Sequence, residues 1–99
     1  MAVRYERDGD VLRVEGEVDY ATVDDFRTEL HALIEAADPD GSLDLSGVEF
    51  IDTPALAVLV GADQEAARRD KVLCIAAASP QVERLLQLTA LDTLFHRSW

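Results

Sequence analysis

The sequence predicts a two-layer α/β domain with a mixed sheet of four or five strands and three main helices packed mostly on one face. Three observations carry that expectation. Asp8-Gly9 sits between two short alternating runs, a strong hairpin signal. Three longer stretches repeat apolar residues at helical spacing. Short β-branched runs separate those stretches, the alternation that builds βα units on a parallel sheet. At 99 residues the chain forms one domain, residues 1–99, with enough apolar content (48%) for a single core.

The elements follow in order. Residues 3–6 and 11–15 read as the two hairpin strands. In the second, Val11, Leu12 and Val14 are apolar, and Arg13 and Glu15 point the other way. Gly16-Glu17-Val18-Asp19 reads as a loop. Val23, Phe26, Leu30, Leu33, Ile34 and Ala37 then recur at three- and four-residue steps, predicting a helix over 22–37. Thr22-Val23-Asp24-Asp25 resembles a capping box with Asp in place of Glu. Asp38-Pro39-Asp40-Gly41 ends that helix.

Residues 42–45 close a short central strand, broken by Ser46-Gly47, after which Phe50 and Ile51 are expected to be buried. Thr53-Pro54 is a helix start, with Thr53 as N-cap and Pro54 at the first helical position. The helix runs to Arg68-Arg69, cations suited to a C-terminus. Residues 71–76 form a near-continuous apolar strand containing Cys74, expected to be buried. Ser79-Pro80 starts a third helix over 79–88, buried through Val82, Leu85, Leu86 and Leu88. Leu94-Phe95 begins a last short strand.

Composition excludes several function classes. The net charge of −11 disfavours nucleic acid and anionic membranes, both of which call for a basic surface. One cysteine forms no internal disulfide, and no Cys/His cluster has zinc spacing. No apolar run reaches the length of a membrane span, and the first residues lack a signal peptide's apolar core. The expectation is a soluble cytoplasmic protein without metal or cofactor, a monomer or weak dimer. No glycine-rich phosphate loop or nucleophile elbow appears. Asp19 and Asp52 both follow strands and would pair if their loops share an edge, but neither has a histidine or cation beside it in sequence. An enzyme is therefore not expected.

One stretch stands out. A hydroxyl at the start of a helix lies beside free backbone N–H groups and the positive end of the helix dipole, a favourable place for a phosphate. Thr53 occupies that position. Gly16-Glu17-Val18-Asp19, residues 43–52 (Leu-Asp-Leu-Ser-Gly-Val-Glu-Phe-Ile-Asp), Ser79-Pro80-Gln81-Val82-Glu83-Arg84-Leu85-Leu86 and Leu88-Thr89-Ala90-Leu91-Asp92 together resemble, in order and spacing, the signatures of STAS domains. The resemblance spans nearly the whole chain and implies a STAS-like domain close to the free-standing anti-sigma-factor antagonists. In those proteins a Ser-Ser-Gly-Leu-Gly pattern follows the loop Asp, and its first Ser is phosphorylated by a partner that is both kinase and anti-sigma factor. The matching residues here are Thr53, Pro54, Ala55, Leu56 and Ala57. The resemblance implies Thr53 as phosphoacceptor, with Asp19, Asp52, Thr53, Pro54 and Ala55 as partner-binding residues. It implies an anti-sigma factor with serine/threonine kinase activity as partner. The alternative is a STAS adaptor that is never phosphorylated, a subunit of a lipid-transport complex or stress-signalling scaffold. Pro54, Ala55 and Ala57, replacing Ser, Gly and Gly, favour that alternative.

Overall fold

A computed structural model describes residues 3–97. The chain runs β1 (Val3–Asp8), β2 (Val11–Val18), α1 (Val23–Ala36), β3 (Asp40–Ile51), α2 (Thr53–Arg68), β4 (Val72–Ala78), α3 (Pro80–Leu88) and β5 (His96–Arg97). The five strands form one sheet in sequence order, β1-β2-β3-β4-β5. β1 and β2 are antiparallel, and each later pair is parallel. Gly9 turns the hairpin with a φ of 63°, a conformation glycine adopts without a Cβ penalty. Because each parallel strand is added on the same side of the last, right-handed crossovers carry the helices to one face.

The hairpin, the three helices and the mixed sheet agree with the sequence expectation. The central strand does not. β3 continues through Ser46-Gly47 to Ile51, and β2 continues through Gly16 and Glu17 to Val18. The reason lies in the register. Two shifts occur between β2 and β3, and at each the extra residue belongs to β3: Arg13 and Glu15 pair with Asp44 and Gly47, then Gly16 and Glu17 pair with Val48 and Phe50. These are bulges, which bend a strand without ending it. Gly16 takes a φ of 102° at the second one, where a side chain would be strained. The bulges hold Leu43, Leu45, Val48 and Ile51 on the core side although the last two steps are three residues and not two. They also turn Phe50 outward: it is 49% exposed, not buried as expected.

The core comprises Leu12, Val14 and Val18 of β2, Phe26, Leu30, Leu33 and Ile34 of α1, and the four β3 residues just named. Ala55, Leu56, Leu59 and Ala66 of α2, Leu73 and Ile75 of β4, Val82 and Leu86 of α3, and Phe95 complete it. α1 has no cation in its last turn, and a distant one serves instead: Lys71 Nζ donates to the Ile34 carbonyl at 2.8 Å. At the far margin Phe95 is buried, the strand forms one residue later at His96–Arg97, and Arg97 pairs with Glu83 of α3.

Among the described residues no helix covers the sheet's other face. There Arg4 bonds Glu15 at 2.7 Å, while Arg13 reaches Glu6 at 2.7 Å and Asp44 at 3.5 Å. Cys74 alternates with the buried Leu73 and Ile75 and faces this side, so it is partly exposed and not buried. A near-continuous apolar run does not distinguish a strand covered twice from one covered once, because Ala and Cys tolerate either.

Tyr5 of β1 packs against the core on the helix side, and its buried Oη has no hydrogen-bond partner among the described residues. Burial, with Asp25 and Glu29 adding, pushes its phenol up to about 12. The folded state thus favours the neutral phenol. Its stabilising preference is complete below the unfolded pKa of about 10 and is lost as pH rises from there through the folded value. Tyr5→Phe removes an unsatisfied hydroxyl and should raise stability by up to about 1 kcal/mol at neutral pH. Urea unfolding at neutral pH and above pH ~10 should show the advantage of the variant widening with pH. An ordinary phenol titration for Tyr5, or a clear loss of stability in the variant, would contradict this account.

Candidate functional site

The C-terminal ends of β2 and β3 bring two loops together, each opening on an aspartate. Asp52 ties them. Its N–H donates to the Val18 carbonyl at 3.3 Å. Its Oδ1 accepts the Ala55 N–H at 3.0 Å, and its Oδ2 accepts the Tyr20 N–H at 2.9 Å. One carboxylate therefore caps α2 and holds the β2–α1 loop. Asp19 does similar work within its own loop: Oδ1 accepts the N–H groups of Ala21 at 2.9 Å and Thr22 at 3.2 Å. Thr22 answers by accepting the Asp19 N–H on Oγ1 at 3.0 Å. Thr22 makes no side-chain cap to α1, so the expected capping box is replaced by this reciprocal loop.

The two aspartates do share an edge, as the sequence suggested, but each is turned onto backbone N–H groups. Among the described residues no group of three or more His, Cys, Asp or Glu side chains is placed to hold a metal.

The expected N-cap is corrected. Asp52 is the N-cap of α2, and Thr53 and Pro54 are its first helical residues. The backbone of Asp52 is extended, with φ −107° and ψ 175°, the conformation a cap requires. Proline is tolerated throughout the first turn, so Thr-Pro alone leaves the boundary one residue open. The consequence is chemical. Thr53 is exposed, and its hydroxyl is relieved of any capping duty. Little of the helix end is left for an anion: Asp52 occupies the N–H of Ala55 by its carboxylate and that of Leu56 by its carbonyl at 3.0 Å, Pro54 has none, and only the N–H of Thr53 itself is left without a bond among the described residues.

Pro54 is exposed and lines a shallow groove between α1 and α2 with Leu30, His31, Ala57 and Val58. Ala55 is different. It is fully buried, so its side chain offers nothing to a partner, contrary to the expectation that it does. A methyl there fills core volume under the helix start.

The sequence reading missed two residues of this edge. Tyr20, next to Asp19, is 77% exposed, and Phe50 lies on the last turn of strand before Asp52. Exposed aromatic side chains anchor protein interfaces well, since they bury large area at little entropy cost. For Tyr20 a signal was available, since it stands in a polar loop; for Phe50 the bulge hid it.

This edge carries a surface hydroxyl, two exposed rings and loops held from within. The chain belongs to the STAS-domain family: the family described as "Mlab, STAS domain" matches residues 1–96. It is similar to the anti-sigma-B factor antagonist of Staphylococcus epidermidis, 29% identical over 85 residues, covering 86% of this chain and 79% of that one. The crystal structure of an anti-sigma factor antagonist from Mycobacterium paratuberculosis superposes with a TM-score of 0.78 at 26% identity, over 97% of this chain and 83% of that one. The Bacillus cell fate determinant SpoIIAA in its phosphorylated form shares the fold, with a TM-score of 0.67 at 17% identity, over 99% and 92% of the two chains. No helix among the described residues is long and apolar enough to cross a membrane.

Proposed function

We propose that this chain is a cytoplasmic anti-sigma-factor antagonist that binds an anti-sigma factor with serine/threonine kinase activity and is switched off by phosphorylation of Thr53. The observation that carries the reading is the exposed Thr53 hydroxyl at the start of α2, freed by Asp52, followed by the exposed Pro54 and close in the chain to the Asp52 that holds the Tyr20 loop. The names of its antagonist relatives support the same reading. The partner transfers the γ-phosphoryl group of ATP to Thr53 Oγ1, leaving ADP. The phosphate brings about −1.5 to −2 charges at neutral pH. Of the first-turn N–H groups those of Ala55 and Leu56 are taken by Asp52 and Pro54 has none, and the Asp52 carboxylate is adjacent in the chain, so the new charge is only partly offset locally. It remains on the contact surface and opposes binding there. Asp19 and Asp52 shape this surface by holding its loops.

A second reading rests on Pro54 and on the family description. Proline fixes the backbone directly after the acceptor and leaves no N–H there. In that reading the chain is a permanent, unphosphorylated adaptor in a larger assembly. Recovery of the partner by affinity purification, followed by incubation with ATP and mass spectrometry, separates the two. The antagonist reading expects phosphate on Thr53 and none on Thr53→Ala. A stable complex that leaves Thr53 unmodified favours the adaptor and overturns the switch.

A further inference from the structure

The sheet has two margins, and only one is long. β5 has two residues, whereas β1 has six, in unbroken register against β2. β1 contains no proline and no bulge, devices that keep exposed edges from pairing. The two-residue turn makes Asp8 and Val11 a hydrogen-bonded pair, and such pairs alternate along an antiparallel ladder. The backbone groups of Arg4, Glu6 and Asp8 therefore face β2. Those of Val3, Tyr5 and Arg7 face outward along the free edge.

We propose that two copies of this chain join through antiparallel pairing of β1 about a twofold axis at Tyr5. This inference is independent of the antagonist reading. Outward backbone groups meet only where odd-numbered residues oppose odd-numbered ones. Among such registers, one sets Arg4 against Arg4 of the second copy, and another sets Glu6 against Glu6. The register between them places Tyr5 opposite Tyr5 and Arg4 opposite Glu6, twice by symmetry. Those Arg–Glu positions are non-hydrogen-bonded pairs, where facing side chains come closest and opposite charges stabilise.

The open face then shows why charge selects this register. Within one chain, Asp44, Arg13 and Glu6 already alternate across β3, β2 and β1. The second copy continues the row with its own Arg4 and, beyond it, the Glu15 that Arg4 binds. β1 itself carries two arginines, one glutamate and one aspartate and is neutral, although the chain as a whole carries −11. The remaining repulsion between copies is screened beyond about 8 Å at physiological salt. Thr53 follows β3, two strands in from the seam, so both copies keep that edge free.

Sedimentation equilibrium of the full chain in physiological salt tests the seam. The parent should form a dimer at micromolar concentrations. R4E sets acid against Glu6 of the second copy, and E6R sets cation against Arg4, so each variant alone should associate at least about tenfold more weakly. An equimolar mixture of R4E and E6R should recover the dimer, since the two chains are then complementary. R7P removes an outward N–H that the hairpin does not use, and should abolish association with an unchanged circular dichroism spectrum. A parent that stays monomeric at hundreds of micromolar, variants that associate as the parent does, or a mixture that fails to recover the dimer overturns the proposal.

Discussion

Asp52→Ala should destabilise the fold by about 2 kcal/mol, the larger share from the lost helix cap. The remainder comes from the lost bond to the Tyr20 N–H, a charge-assisted contact linking two loops. For a domain of this size the melting temperature should fall by about 10 °C. Asp52→Asn divides the two effects. Its amide has one acceptor oxygen, which keeps the cap to Ala55 but leaves Tyr20 without its acceptor. It should therefore cost less than about 1 kcal/mol, under half the alanine value. Thr53→Ala should stay within about 0.5 kcal/mol of the parent, since an exposed side chain without a cap bond is lost. Thermal and urea unfolding of the three variants check the assignment. A Thr53→Ala loss that matches Asp52→Ala would return the cap to Thr53.

Thr53→Asp should leave stability nearly unchanged and lower partner affinity by about 100-fold, which is about 2.7 kcal/mol. A carboxylate in the first turn of α2 is favoured by the helix dipole. Asp52 beside it repels it, and the two effects offset. In the complex the balance changes, because contact removes the water that solvates the carboxylate. An uncompensated or like-facing charge at a contact costs several kcal/mol. Thr53→Ser should bind as the parent does. Calorimetry or surface binding of these variants to the purified partner gives the values. A Thr53→Asp variant that is stable and binds at full affinity removes the switch and leaves the adaptor reading.

The sequence alone determined the element order. The Asp8-Gly9 turn, the 3.6-residue periodicity over α1, and Ser79-Pro80 before α3 are local signals read within one turn or one strand pair. The structure agrees with each: Ser79 Oγ accepts the Val82 N–H at 3.3 Å as the N-cap of α3. The same device misled at Thr53-Pro54, because two adjacent residues, Asp52 and Thr53, are both good caps, and local chemistry does not rank them. The second oxygen of Asp52 decides. It satisfies Tyr20, a residue remote in sequence, and only a carboxylate does both jobs.

The tertiary structure alone decided the rest. Alternation ceases to predict facing once a bulge intervenes, and the two bulges in β3 exist only in relation to β2; hence Phe50 turns outward and Ser46-Gly47 does not end the strand. The exposure of Cys74 depends on which face the crossovers cover. The buried methyl of Ala55 depends on what lies under α2. Backbone propensity is written in neighbouring residues and can be read from them. Which side chain meets solvent, core or another loop is set by residues tens of positions away, and only packing brings them together.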